Sequence, residues 1–332
     1  MTERLPIVCL GVGRMARGIA VVFAYAGHGV TLVDVKARNA SAHAQSAREA
    51  RDEVHNTLAM LAGFGLFPPD LTEAIAARVT VLPEAEAHDA LRRAGVIFEG
   101  VPEVVDLKRE VFARISKLAP EPIIASTTST ILVDDLSSAV DRPERFLNAH
   151  WLNPAFVIPL VELSPGAQTD PAVTLRLKSL LEGIGKVPIV CAARPGYIVP
   201  RIQALAMNEV ARMVEEGVAS AEDIDKAIKY GFGIRFASLG MLEFIDYGGG
   251  DILYYASRYL TQALADQRYA APEIVERNMR EGRIGLKTGA GFLDYGSLDI
   301  ELYRAGRLKA LLDMLGFLGL SRPPVLPDQT PK

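Results

Sequence analysis

Of the five histidines in this 332-residue chain, His150 alone ends an apolar run, Phe146-Leu147-Asn148-Ala149-His150. A histidine near its ordinary pKa takes or returns a proton near neutral pH, which is what general acid–base chemistry needs. His28 falls in a turn, and His43, His55 and His88 fall on polar helical stretches, so these four read as solvated surface residues. A lone histidine in a strand is most often a satisfied structural residue, so its neighbours must decide. Glu162 lies in a second apolar run, Leu160-Val161-Glu162-Leu163, where a carboxylate is costly unless paired. If the two runs lie side by side, the carboxylate holds one imidazole nitrogen and fixes the tautomer. The other nitrogen is then left for a substrate. Ser129, just past the run Pro122-Ile123-Ile124-Ala125, is placed to hydrogen-bond a reacting oxygen. It reads equally well as a helix cap, because Asp134 and Asp135 follow in a helical start.

These residues need a frame, and the opening of the chain supplies one. Ile7-Val8-Cys9-Leu10 feeds into Gly11-Val12-Gly13-Arg14-Met15-Ala16, an apolar helical segment runs through Phe23, and Val30-Thr31-Leu32-Val33 ends on Asp34. Strand, glycine turn, helix, strand and acid in that order form the dinucleotide-binding fingerprint. Gly11 allows the tight turn, Gly13 leaves room for a pyrophosphate, and the small Ala16 lets helix and strand pack closely. Free N–H groups at the helix start, with Arg14 and Met15 in its first turn, favour the anion. Asp34 accepts from ribose hydroxyls and repels a 2′-phosphate, which argues for NAD over NADP, although Lys36 and Arg38 nearby would temper that preference.

Strands and helices alternate from there to Cys191, which implies an α/β fold with a doubly wound, mostly parallel sheet. Beyond Arg194-Pro195-Gly196 the chain reads as helical. The expected organisation is a Rossmann domain over 1–193 with a helical clamp at 40–77, then an all-α domain over 194–320. The tail 321–332, with four prolines, is expected to be disordered. A net charge of −4 gives no draw toward nucleic acid or an anionic membrane. Cys9 and Cys191 both fall in apolar runs and read as reduced core residues, which fits a cytoplasmic enzyme. No signal peptide or membrane-spanning run is read at the start or elsewhere. Asp246 to Asp251 reads as a flexible loop near the site, with no supporting ligands for a metal.

Several ordered motifs resemble the L-3-hydroxyacyl-CoA dehydrogenase family over nearly the full chain. Ser126-Thr127-Thr128-Ser129 resembles the family's Ser-Asn-Thr-Ser, and His150-Trp151-Leu152-Asn153-Pro154 its His-Phe-Phe-Asn-Pro block. Leu160-Val161-Glu162 is similar to the segment with the catalytic Glu, and Pro195-Gly196-Tyr197-Ile198-Val199 to the lead into the second domain. Gly285-Leu286-Lys287-Thr288-Gly289-Ala290-Gly291-Phe292 is similar to a C-terminal signature. The resemblance implies that His150 is the base, Glu162 its partner, and Ser129 the donor to the substrate oxygen. It also implies a substrate contact at Asn153, contacts from Glu103 and Lys108 on the nicotinamide side of NAD, and a homodimer through the helical domain.

Three departures bear on the substrate. Pro200 stands where the family has an Asn, and it offers neither a side-chain donor nor an N–H. The clamp turn Leu61-Ala62-Gly63-Phe64-Gly65-Leu66-Phe67 carries no cation, whereas relatives that use CoA have a lysine-rich turn for its phosphates. Gly231 to Gly240 is more similar to the matching loop of carnitine dehydrogenase and of the gulonate dehydrogenase (lambda-crystallin) branch. Arg235 in that loop would bind a free carboxylate, or lie on the surface or at a dimer interface. The expectation is NAD-dependent oxidation of a 3-hydroxyacyl substrate. A free hydroxycarboxylate held by Arg235 is the alternative, and a non-catalytic NAD-binding structural or sensor protein is the rival from another class.

Overall fold

The computed structural model describes residues 4–324. One sheet holds β1 (Ile7–Leu10), β2 (Val30–Asp34), β3 (Val79–Pro83), β4 (Val96–Glu99), β5 (Ile123–Ser126), β6 (Phe146–Trp151), β7 (Leu160–Pro165) and β8 (Val187–Val190). The strand order is β3-β2-β1-β4-β5-β6-β7-β8. All neighbours run parallel except β6 and β7, which are antiparallel. The connection from β6 to β7 is too short to carry a crossover helix, so the chain must turn back beside itself. That turn places His150 directly opposite Glu162 in the strand register.

The inner strands are buried on both faces, as a parallel sheet between helices must be, while the edge strands β3 and β8 are partly exposed. Ile7 and Cys9 point to a core shared with α1 (Arg14–Tyr25) and α2 (Ala40–Gly63). Val8 and Leu10 point to the opposite core, shared with α5 (Val105–Leu118) and α6 (Val133–Ser137). The remaining helices of this part are α3 (Thr72–Ala76), α4 (His88–Arg93) and α7 (Pro171–Gly183). The order reverses between β1 and β4, and at that point helices leave the sheet in opposite directions, which opens a crevice at the strands' carboxyl ends.

The chain divides into two compact units, Met1–Met207 and Asn208–Lys332. The division falls inside α8 (Val199–Glu215), beyond the boundary expected at residue 194. The N–H groups of Ile198, just before α8, and Val199, its first residue, are bonded to Glu162 of the sheet, so the start of this helix stays with the first unit. The second unit contains α9 (Ala221–Ala227), α10 (Ile234–Ser238), α11 (Met241–Gly248), α12 (Gly250–Ala263), α13 (Glu273–Arg280) and α14 (Ile300–Phe317). The tail expected to be disordered lies outside the described residues from 325 onward.

Two expected loops in the second unit are helical. Ile228–Gly233 forms a π-helical turn that continues directly into α10, so Arg235 sits on a helix. Asp246 to Asp251 is the junction of α11 and α12, broken only at Gly249 with φ 111°. Asp246 is 1% exposed, and its carboxylate accepts from Phe292 N at 2.9 Å, Leu293 N at 2.8 Å and Tyr295 Oη at 3.2 Å. A Cβ on Gly291 would lie 2.1 Å from Asp246 Oδ1, so the glycine is required by close approach. The C-terminal signature is therefore a fold clamp around a buried acid.

Candidate active site

The crevice at the β1–β4 switch is a cavity of about 630 Å³ lined by Gly11, Val12, Gly13, Asp34 and Gly100, with Lys36 and Arg38 at its side. Gly11 has φ 99°, a left-handed conformation that turns the chain from β1 into α1. A Cβ on Gly13 would meet no atom within 4 Å and would project into open space, so its absence leaves a cradle for a ligand. Gly13 caps α1 without a side-chain bond, and no acid stands in the first turn. The N–H groups there remain available to an anion. Asp34, 3% exposed, ends β2 and faces the same cavity. Its Oδ2 accepts from Arg38 Nε at 2.9 Å and lies 3.3 Å from His43 Nδ1. The residues fit a dinucleotide: a glycine cradle for the pyrophosphate and an acid for the ribose.

On the far side of the sheet's reversal, His150 and Glu162 face each other across β6 and β7. His150 Nδ1 lies 2.7 Å from Glu162 Oε2, with the carboxylate wholly buried and the imidazole 6% exposed. Glu162 Oε1 accepts from the N–H groups of Ile198 and Val199, each at 2.9 Å. Both carboxylate oxygens are thus satisfied, which offsets the cost of burying the group. Among the described residues, His150 Nε2 makes no hydrogen bond. One nitrogen is held by an acid and the other is open, an arrangement suited to proton transfer.

Ser129 follows β5 in a loop organised by Glu103. Glu103 Oε1 accepts from Ser129 N at 2.9 Å, Thr130 N at 3.2 Å, Thr130 Oγ1 at 3.1 Å, and from the Thr128 hydroxyl. Burial works against the Glu103 carboxylate, but the Thr128 hydroxyl, the Lys108 ammonium and the Ser129 N–H outweigh it and hold its pKa below the usual range. Lys108 lies 3.3 Å from Glu103 Oε2 and bonds Glu99 at 2.8 and 3.0 Å. Lys108 is 1% exposed and Glu99 is wholly buried, and the ammonium lies between the Glu99 and Glu103 carboxylates. Ser126 Oγ donates to Glu99 Oε2 at 2.6 Å and Val101 N to Oε1 at 2.7 Å, completing that cage.

Of the other expected site residues, Asn153 precedes a cis bond to Pro154 and is exposed. Arg235 is exposed, donates from Nε to Gly231 O at 2.6 Å, and lies over the Phe244 ring at 5.1 Å. His28 is not a surface residue. It is 4% exposed, with Nδ1 2.9 Å from Leu5 O and its ring edge-on to Phe23, because the turn before β2 packs against the end of α1 and the residue leading into β1. Cys9 is buried, whereas Cys191 is half-buried at the end of β8. Glu99, Asn148 and Tyr197 were not singled out from sequence. Glu99 carried the same signal as Glu162, an acid closing the apolar run Val96-Ile97-Phe98. Among the described residues there is no metal-binding cluster, and no helix is long and apolar enough to cross a membrane.

Comparison with known proteins joins these features. Residues 6–194 match the NAD-binding domain model of 3-hydroxyacyl-CoA dehydrogenase, and residues 196–295 match the model of its C-terminal domain. A 3-hydroxybutyryl-CoA dehydrogenase of Bradyrhizobium diazoefficiens is 33% identical over 86% of this chain and 94% of the relative. A 5-formyl-3-hydroxy-2-methylpyridine 4-carboxylate 5-dehydrogenase of Mesorhizobium japonicum is 29% identical, covering 92% of this chain and 96% of the relative. The crystal structure of a 3-hydroxyacyl-CoA dehydrogenase from Archaeoglobus fulgidus matches with a TM-score of 0.76 and 31% identity, covering 96% of this chain and all of that one. With two family models spanning most of its length, a glycine cradle for NAD and a paired histidine on the same sheet, the chain belongs to the 3-hydroxyacyl-CoA dehydrogenase family of NAD-dependent oxidoreductases acting on CH–OH groups.

Proposed function

We propose that the chain oxidises the hydroxyl of a 3-hydroxyacyl substrate, with His150 as general base. The observation that carries this reading is the buried His150–Glu162 pair at 2.7 Å with Nε2 unengaged. When bound, NAD supplies the hydride acceptor. Gly11, Gly13 and the first turn of α1, with Arg14, Met15 and Ala16, hold its pyrophosphate, and Asp34 holds the ribose hydroxyls. His150 Nε2 takes the hydroxyl proton. Glu162 keeps the Nδ1 proton in place and stabilises the imidazolium that forms, while Ser129 Oγ donates to the reacting oxygen. Asn153, beyond β6, contacts the substrate. Glu103 shapes the Ser129 loop toward the nicotinamide, and the enclosed Lys108 holds Glu103 in place.

The test is NADH formation with matched 3-hydroxyacyl-CoA thioesters and free 3-hydroxy acids, in the wild type and in His150→Gln. Turnover of thioesters that His150→Gln removes while NAD binding persists is the expected result. A variant that turns over normally would sink the assignment of the base. Tight NAD binding with no turnover of either set would favour an NAD-binding structural or sensor protein.

A free hydroxycarboxylate is the second reading. The uncharged clamp turn, with Phe64 79% exposed, offers no partner for CoA phosphates. Pro200 lacks the family's amide, and the Mesorhizobium relative is named for a pyridine carboxylate. Arg235 would then hold the carboxylate, and turnover of free acids alone, lost in Arg235→Ala, would select this reading. The proposal includes a homodimer through the helical unit, where Tyr259 is 70% and Phe317 90% exposed; sedimentation as a monomer would remove it.

A further inference from the structure

The His150–Glu162 pair packs against Tyr197. Tyr197 is 6% exposed, and its ring stacks on the His150 imidazole with centroids 5.3 Å apart and an interplanar angle of 13°. Its hydroxyl donates to Thr128 O at 3.1 Å and accepts from Asn148 Nδ2 at 2.9 Å. Asn148 is on β6, two residues before His150, and Thr128 adjoins Ser129. A single phenol therefore spans from the strand of the base to the loop of the oxygen donor. Burial pushes that phenol's pKa up, so it stays protonated and keeps both bonds at ordinary pH.

The backbone around Tyr197 is held as firmly as its side chain. Tyr197 has φ 43°, a left-handed conformation that non-glycine residues rarely adopt. The next two N–H groups are bonded to Glu162 Oε1, the same carboxylate that holds His150. Such a conformation persists only where the surrounding structure holds it, and residues of this kind cluster at active sites. Filling the space beneath His150 would need only a phenylalanine. The hydroxyl and its two partners go beyond filling.

Resting on the assignment of His150 as base, we propose that Tyr197 is a positioning residue for the reaction. Its ring sets the plane of the His150 imidazole, and its hydroxyl sets the spacing between His150 and Ser129. Asn148 is the second half of the bridge, since its amide also donates to Ile131 O at 2.9 Å and ties the same loop to β6.

The test compares Tyr197→Phe, Tyr197→Leu, Asn148→Ala and the double variant Tyr197→Phe/Asn148→Ala, with His150→Gln alongside, on whichever substrate the wild type turns over. Tyr197→Phe keeps the stack and loses the bridge. It is expected to lower kcat about tenfold, because small misplacements of reacting groups cost that much or more. Its KM for NAD and its melting temperature are expected to stay near wild type. Tyr197→Leu loses both stack and bridge and falls further, with a shifted pH profile of kcat/KM. The double variant is expected to lose no more than the larger single loss, since both residues act through one bridge. Wild-type kcat and pH profile in Tyr197→Phe and Asn148→Ala, with His150→Gln inactive, would overturn the inference alone. Wild-type kcat in His150→Gln would overturn the assignment on which it rests.

Discussion

Two buried acid–base pairs are anchored in the same sheet, through Glu99 of β4 and Glu162 of β7, and have different ends. Glu99 and Lys108 enclose one another completely: the carboxylate also takes Val101 N and Ser126 Oγ, and the ammonium also meets Glu103. Glu162 is just as buried and just as satisfied, yet its partner His150 keeps one nitrogen without a protein partner among the described residues. A pair closed at both ends braces the elements it joins and leaves no group directed outward. A pair closed at one end holds a proton acceptor in a fixed direction and leaves it free to act. The chemical types matter as well, because an imidazole nitrogen can accept or donate a proton, whereas an ammonium has only donors to offer.

The largest effects should fall on different observables in the two pairs. His150→Gln is expected to lower kcat by roughly 10²–10⁴, the usual contribution of a general base, with little change in unfolding temperature. Lys108→Met leaves the Glu99 charge uncompensated and is expected to cost about 3–5 kcal/mol of stability, read by denaturant unfolding. The double change Glu99→Leu/Lys108→Met should recover much of that loss, since removing both charges avoids the unpaired one. Lost stability in His150→Gln with intact kcat, or the reverse pattern in Lys108→Met, would break the contrast.

Asp246 in the second unit sharpens the contrast from a third side, as a buried acid that serves backbone N–H groups and no base at all. Asp246→Ala strands those donors and should destabilise by about 1–3 kcal/mol. If the second unit melts unchanged, the clamp is not what holds the signature segment. The smallest effect concerns Glu103. Its folded pKa lies below the ordinary carboxylate value, so it contributes stability above the unfolded pKa of about 4.3 and loses it as pH falls through the folded value. Wild type is therefore expected to lose more melting temperature than Glu103→Gln between about pH 6 and pH 3. Equal losses would mean that the Ser129 loop does not depend on this charge.

The sheet architecture was legible because its signal is local. Apolar runs bounded by glycine turns identify buried strands, and the first βαβ segment carries its own ligand logic in Gly11, Gly13 and Asp34. Glu162 was legible for a related reason, since an acid inside an apolar run demands a partner. The same argument applied to Glu99 would have exposed the enclosed Lys108, which family resemblance alone assigned to the cofactor. The helical unit was read less well. Glycine-rich stretches such as Gly231 to Gly240 and Gly248 to Gly250 look like loops by composition, yet packing drives the first into a π-turn and α10, and the second into a helix junction. A turn residue such as His28 reads as exposed from sequence, and only its contacts with Leu5 and Phe23 bury it.

The sequence by itself determined the α/β class and the dinucleotide fingerprint, and it marked His150 and Glu162 as partners if their strands lie side by side, because each of these rests on residue type and spacing within a short segment; the antiparallel register of β6 and β7 supplied that condition. Only the tertiary structure decided which carboxylates close on themselves. It also showed that Asn148, Thr128 and Tyr197 meet around the base, across 69 residues of chain between Thr128 and Tyr197. Such contacts depend on where distant strands and loops come together, and neither periodicity nor local propensity carries that information.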